Sequence, residues 1–192
     1  MNKKTISIKG LLTALMMLVA VPLSLCAQDE EPIITLRTTS PACTIFLGGN
    51  ADKAYIDVDC GNGPEEKEVV PAVLNPTTGE WTGTSFTCNP VNGLIRIYGE
   101  AENIVMLNLD GCYITQADLS KLVNLEFLFM KHNELESLDL SAIHRLKYIE
   151  VTDSPMNKGY FRIGKQPELM ILSIEQTGNL SPDFTLADYP KL

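Results

Sequence analysis

Leu125-Glu126-Phe127-Leu128-Phe129-Met130-Lys131-His132-Asn133-Glu134-Leu135-Glu136-Ser137-Leu138-Asp139-Leu140-Ser141 sets a pattern that recurs along the C-terminal half of the chain. Its first half runs apolar-x-x-apolar-x-apolar-x-x-Asn. The same order starts at Ile104 and ends at Cys112, starts at Leu146 and ends at Ser154, and starts at Leu169 and ends at Thr177. Successive starting points lie 21, 21 and 23 residues apart. The second half recurs as well: Asp118-Leu119-Ser120 precedes Asp139-Leu140-Ser141 by 21 positions, and Phe161 and Phe184 hold one slot. The two extra residues of the third unit fall within 162–167, which marks a loop there.

A short strand with a return segment cannot bury its apolar face alone, so neighbouring units stack and share one core. The repeated apolar positions point inward. The Cys/Asn/Ser/Thr slot turns the chain away from the strand, where an amide or hydroxyl can satisfy backbone groups that would otherwise be buried unpaired. Leu135-Glu136-Ser137-Leu138-Asp139-Leu140-Ser141 closely resembles the second half of the unit in leucine-rich-repeat proteins exported by Gram-negative gut bacteria. The resemblance covers residues 94–192. It implies an α/β-type leucine-rich-repeat solenoid of about four units plus an incomplete fifth, with short parallel strands and irregular or short-helical returns. Tyr189-Pro190-Lys191-Leu192 reads as the opening of that fifth unit without a polar cap, so the expectation is either a truncated chain or an open end that pairs with a second copy as a homodimer.

Residues 28–93 have a different texture. β-rich runs, among them 33–37, 44–47, 55–58, 68–73 and 81–87, are separated by Gly48-Gly49-Asn50, Gly61-Asn62-Gly63-Pro64 and Asn75-Pro76-Thr77-Thr78-Gly79. Short strands with such turns predict a small β-sandwich. Val58-Asp59-Cys60-Gly61-Asn62-Gly63 resembles the turn of PKD-like domains, which stand ahead of the repeats in the same relatives. The implied role is to cap the first repeat.

The first 27 residues read as a secretory signal peptide. Lys3, Lys4 and Lys9 form a basic head, residues 11–25 an apolar body, and small residues lead to the acidic run after Gln28. The body is shorter than the roughly 20 residues of a membrane span. A competing reading is a lipid anchor: Leu23-Ser24-Leu25-Cys26 resembles a bacterial lipobox, with Cys26 acylated. Either way the protein is expected outside the inner membrane, and Cys26 would be its one attachment to lipid. The whole chain carries −9. Removing residues 1–27 takes three of 15 basic residues and none of 24 acidic ones, leaving about −12. Such a balance repels phosphate backbones and argues against nucleic acid as a partner.

Export permits disulfides, and Cys43, Cys60, Cys88 and Cys112 allow three pairings. If Leu47 faces Ile56 in a hairpin, Cys43 faces Cys60 on the same sheet face, so a Cys43–Cys60 bridge is one expectation. Cys112, in the turn slot, reads as a buried free thiol ahead of a disulfide partner. His132 and His144 fall in different units, with no nucleophile at motif spacing, and read as solvent-exposed. Asp57, Asp59, Asn62, Glu65 and Glu66 carry oxygen ligands, but Gly61 breaks the calcium-loop spacing and a solvated acidic turn is the better reading. No phosphate loop or zinc spacing is present, so no cofactor, metal or catalytic residue is expected.

The remaining signal is surface. Residues flanking the inward positions line up in columns: Leu94, Met106, Phe127, Tyr148, Ile171; then Arg96, Asn108, Phe129, Glu150, Ser173; then Tyr98, Asp110, Lys131, Thr152, Glu175. The first column is apolar throughout. Contiguous exposed apolar surface marks a contact, and aromatic residues anchor interface centres. Met106, Asn108, Phe127, Phe129, Lys131, Tyr148, Glu150 and Ile171 are therefore the expected binding residues for a protein or glycan ligand. The competing reading is that these side chains stack on one another or lie under a loop. The rival function is a structural or self-associating surface scaffold.

Overall fold

The computed structural model describes residues 30–50, 54–175, 178–180, 185 and 188–192. The signal peptide and the lipid-anchor cysteine fall outside the described residues, as do Thr177 and Phe184. Pro32–Leu192 is one compact unit.

The described residues correct the expected fold class. There is no α-helix among them, no solenoid is formed, and Val91–Gly93 and Ala101–Asn103 are single 3-10 turns. The described residues instead form an all-β architecture of three sheets, mixed in direction. Its strands are β1 (Ile34–Thr38), β2 (Cys43–Gly49), β3 (Ala54–Asp59), β4 (Pro64–Val69), β5 (Thr84–Cys88), β6 (Leu94–Gly99), β7 (Ile104–Asn108), β8 (Ile114–Asp118), β9 (Phe127–Phe129), β10 (Leu138–Asp139), β11 (Tyr148–Glu150), β12 (Met156–Arg162), β13 (Ile171–Ser173) and β14 (Gly178–Leu180).

One sheet, ordered β4-β3-β6-β1-β8, is antiparallel throughout. The second is ordered β13-β11-β9-β7-β2-β5: parallel from β7 to β13, antiparallel from β7 through β2 to β5. The third is the parallel set β10-β12-β14. The returns each contain a strand, β8, β10, β12 or β14, and are otherwise irregular among the described residues. Both larger sheets take strands from each side of the Gly93/Leu94 position: β6 sits between β3 and β1, and β2 lies against β7. Alternation explains the core. Strand β1 buries Ile34, Leu36 and Thr38 and turns Arg37 outward, while β3 buries Ala54, Ile56 and Val58. Ile34, Leu36, Ala54, Ile56 and Val58 join Ile45, Leu47, Leu107, Leu128, Ile149 and Phe161 in one hydrophobic cluster.

Three-residue strands leave amides and carbonyls at their ends, and buried side chains complete the ladder there. Asn133 is 3% exposed. Its Oδ1 accepts the Ile114 N–H at 2.8 Å, and its Nδ2 donates to the carbonyls of Leu109 and Lys131 at 3.1 Å each. Ser154, one unit on, accepts the Asn133 N–H and donates to the Met130 carbonyl. Gln166 accepts the Leu146 N–H and donates to the carbonyls of Ile143 and Ile163. Among the described residues no buried side-chain nitrogen or oxygen lacks a partner. At the opposite turns, Asp118 and Asp139 accept from the amide and hydroxyl of Ser120 and Ser141. Burial pushes the Asp139 carboxyl up, but the two Ser141 bonds and Arg162 outweigh it and hold it below the usual carboxylate range.

The two disulfides differ from the expected one. Cys43 pairs with Cys112, and Cys60 pairs with Cys88. The hairpin that would face Cys43 with Cys60 does not form, because β2 pairs with β5 and β7 while β3 pairs with β4 and β6 in the other sheet. Cys112 is accordingly bonded rather than free.

Asn133→Ala removes one acceptor and two donations from buried backbone. Each unsatisfied buried group costs about 1–3 kcal/mol, so we expect a loss of at least about 2 kcal/mol. Thermal unfolding should show a midpoint lowered by about 4 °C or more, given roughly 2–4 °C per kcal/mol at this chain length. A change of under a degree would show that water replaces the amide.

Candidate functional site

In-register pairing turns the repeat into a surface. Met106 faces Phe127, Phe127 faces Tyr148, and Tyr148 faces Ile171 across the parallel strands; Asn108, Phe129, Glu150 and Ser173 form the next row. Strand side chains alternate between faces, so these two rows share one face, opposite buried Leu107, Leu128 and Ile149. Leu94, Arg96 and Tyr98 do not extend the rows, because β6 belongs to the other sheet. Gly48 and Phe46 of β2 stand in their place, beside Met106 and Asn108.

The expected binding residues divide into three groups. Met106 is 2% exposed and not available to a ligand. The segment after β4 crosses it: Gly49 donates to the Val70 carbonyl, the Ala72 N–H returns a bond to the Gly49 carbonyl, and a Cβ at position 48 would collide with Ala72. Phe127 is half-buried under Trp81, whose ring centroid lies 4.6 Å away. At this end the apolar row is covered by a loop. The middle is open and aromatic: Phe129 and Tyr148, both half-buried, sit 4.9 Å apart with ring planes at 32°. Ile171 is the outer member, 49% exposed on β13.

Charge borders the aromatic pair. Lys131 Nζ lies 3.5 Å from a Glu150 oxygen and 3.8 Å from an Asp110 oxygen. The Tyr148 hydroxyl donates to Glu150 at 3.2 Å. Asn108 Oδ1 accepts the Asp110 N–H, and Asp110 Oδ1 accepts the Lys131 N–H, so these two side chains shape the turn as well. Burial, and then the Glu150 charge, push the Tyr148 phenol above its ordinary value, keeping it a neutral donor. At the other end of the strands Glu126 is flanked by Lys147 and Arg145.

Phe46, Trp81 and Asp110 complete the face and were not among the expected binding residues. Phe46 lies over Gly83, where a Cβ would strike its ring. Trp81 arrives from a bridge with Leu74, far from the strands it covers, and nothing in its local sequence points there.

His132 and His144 are exposed; His132 lies 3.2 Å from Asp153. Asp59 accepts the Gly61 and Gly63 amides, and Glu65 is bonded to Lys67, so the acidic turn is occupied with itself. A polar cleft of about 280 Å³ on the antiparallel sheet is lined by Arg37, Gln116, Asp118 and Glu136. No group of three His, Cys, Asp or Glu among the described residues is placed to hold a metal ion.

No protein-family model matches the chain, and no curated protein or solved structure matches it.

Ultraviolet titration of the wild type minus Tyr148→Phe should isolate a phenol ionising above the ordinary tyrosine range. A raised folded value means that the stabilisation is fully present below the unfolded pKa and is lost as pH rises through the folded one. The two proteins should therefore converge in stability in strong base. A Tyr148 ionising at or below the ordinary value would show that it does not rest on Glu150.

Proposed function

We propose that this is an exported, non-catalytic binding protein that engages a protein ligand through the exposed face of its six-stranded sheet. The observation that carries the reading is the Phe129–Tyr148 pair, an aromatic centre set between a covered apolar end and a rim of Asp110, Lys131 and Glu150. Aromatic anchors in an interface centre with charged residues at the edge are the arrangement that concentrates binding energy.

Between the two ligand classes the face suits, a protein is favoured over a glycan. Sugars need free donors and acceptors to read their hydroxyls. Here Lys131, Glu150 and the Tyr148 hydroxyl are bonded to one another, and the rings tilt together. The carboxylates exceed the one lysine between them, and the chain as a whole carries −9, so a partner with cationic groups around an apolar centre is complementary. The two disulfides are compatible with export.

The test is cross-linked capture of surface and periplasmic proteins with wild type and with Phe129→Ala/Tyr148→Ala, each first checked for wild-type circular dichroism. A protein captured by the wild type should bind with affinity reduced at least tenfold, about 1.4 kcal/mol, in the double variant. Equal capture by both, or binding to a glycan array that the double variant loses, would overturn the protein reading.

A second reading, a self-associating scaffold, draws on Met170 and Ile171, exposed at 53% and 49% beside the outermost strand. Sedimentation over a hundredfold concentration range would then give a dimer that Ile171→Lys dissolves.

A further inference from the structure

The four cysteines lie closer together than two independent bridges require. The Cα atoms of Cys43 and Cys112 are 4.9 Å apart, and those of Cys60 and Cys88 are 5.8 Å apart. Cys43 and Cys88 are also direct partners across the antiparallel β2–β5 ladder. Opposed residues of such a ladder put their side chains on one face with Cα atoms about 4.5–5.5 Å apart. That falls inside the roughly 4.4–6.8 Å a disulfide spans. Cys43 thus has two cysteines within bonding reach, one of them its present partner. Cys43, Cys88 and Cys112 are buried, whereas Cys60 is half-buried. A thiol from solution therefore meets the cluster at Cys60.

We propose that the cluster is a thiol–disulfide exchange relay, in which a small-molecule thiol entering at Cys60 moves the inner bridge from Cys43–Cys112 to Cys43–Cys88. The external thiolate attacks Cys60 Sγ; the Cys60–Cys88 bond breaks, a mixed disulfide forms on Cys60, and the electron pair leaves on Cys88. The Cys88 thiolate attacks Cys43 Sγ; the Cys43–Cys88 bond forms and Cys112 leaves, taking up the proton the external thiol gave up. A second external thiol resolves the mixed disulfide, protonating Cys60 and departing as an oxidised dimer. Two small thiols are oxidised and one protein disulfide is reduced, leaving Cys60 and Cys112 as thiols.

Two features favour that end point over simple loss of the Cys60–Cys88 bridge. The β2–β5 ladder, in register from Cys43↔Cys88 to Leu47↔Thr84, holds the new partners together without either disulfide, while Cys112 sits in the turn after β7. The expelled thiol also has an acceptor waiting, because Cys112 Sγ lies 3.3 Å from the Thr44 carbonyl oxygen.

Folded protein would be incubated with graded reduced glutathione, quenched in acid, alkylated and mapped by mass spectrometry. When one bridge has been lost, the alkyl label or glutathione should sit on Cys60, the alkyl label on Cys112, and a Cys43–Cys88 peptide should appear. Label on Cys60 and Cys88 with Cys43–Cys112 intact, or on all four together, would overturn the relay. Cys60→Ser tests the same step without reductant: oxidised variant should carry Cys43–Cys88 with Cys112 free. A free Cys88 in that variant would count equally against it, and if the variant does not fold the wild-type map alone decides.

Discussion

A strand three residues long cannot satisfy its own ends, and β9, β11 and β13 are strands of that length. The chain around these strands carries Met130, Leu135, Leu146 and Val151 into the core, so backbone groups left over beside them need partners. Asn133 bonds backbone on both sides of the turn after β7, Ser154 bonds it after β9, and Gln166 bonds it on the return ahead of β11. The hydrophobic cluster supplies the driving force for stacking, but the buried amides fix where each unit turns. The rows on the outer face then follow, since a turn placed one residue late would flip a strand's side chains to the other face.

The same constraint explains why the sheet changes direction. Strand β7 has an open edge toward the start of the chain, and an unpaired edge is a template for aggregation. Strand β2 closes it in antiparallel register and β5 closes β2. Gly48 carries no side chain at that end of the face, and the segment carrying Pro71 and Ala72 lies against it; Phe46 fills the space over Gly83. Cover at one end and exposure at the other come from one arrangement, and they concentrate the accessible aromatic surface at Phe129 and Tyr148.

Spacing made the rows legible in the sequence: leucines 21 residues apart place Phe127 beside Tyr148, because parallel pairing in register preserves sequence offset. The turn slot was legible for a similar reason, since Asn133 and Ser154 are residue types that bond backbone. The returns were not. β10 is two residues long and β8 contains Thr115, Gln116 and Asp118, a composition that reads as loop; only pairing with distant partners makes them strands. The disulfides escaped because they depend on which sheet β3 joins, a choice of topology that no local pattern records. Trp81 escaped because its contact with Phe127 spans two otherwise separate parts of the sequence. Gln166, between Lys165 and Pro167, carries no apolar signature, and its burial follows from the carbonyls around it.

The covalent topology has a mechanical consequence. Cys60 and Cys88 lie within the stretch of chain that the Cys43–Cys112 bond closes, a separation of 69 residues. Tension applied on either side of that bond passes through the sulfur atoms and bypasses everything between them. β3 to β7 carry no load, and under a pull the extensible length is confined to the chain outside the closed loop. Under a pull at both ends the outer face would distort first at β13 and last at β7, beside the staple.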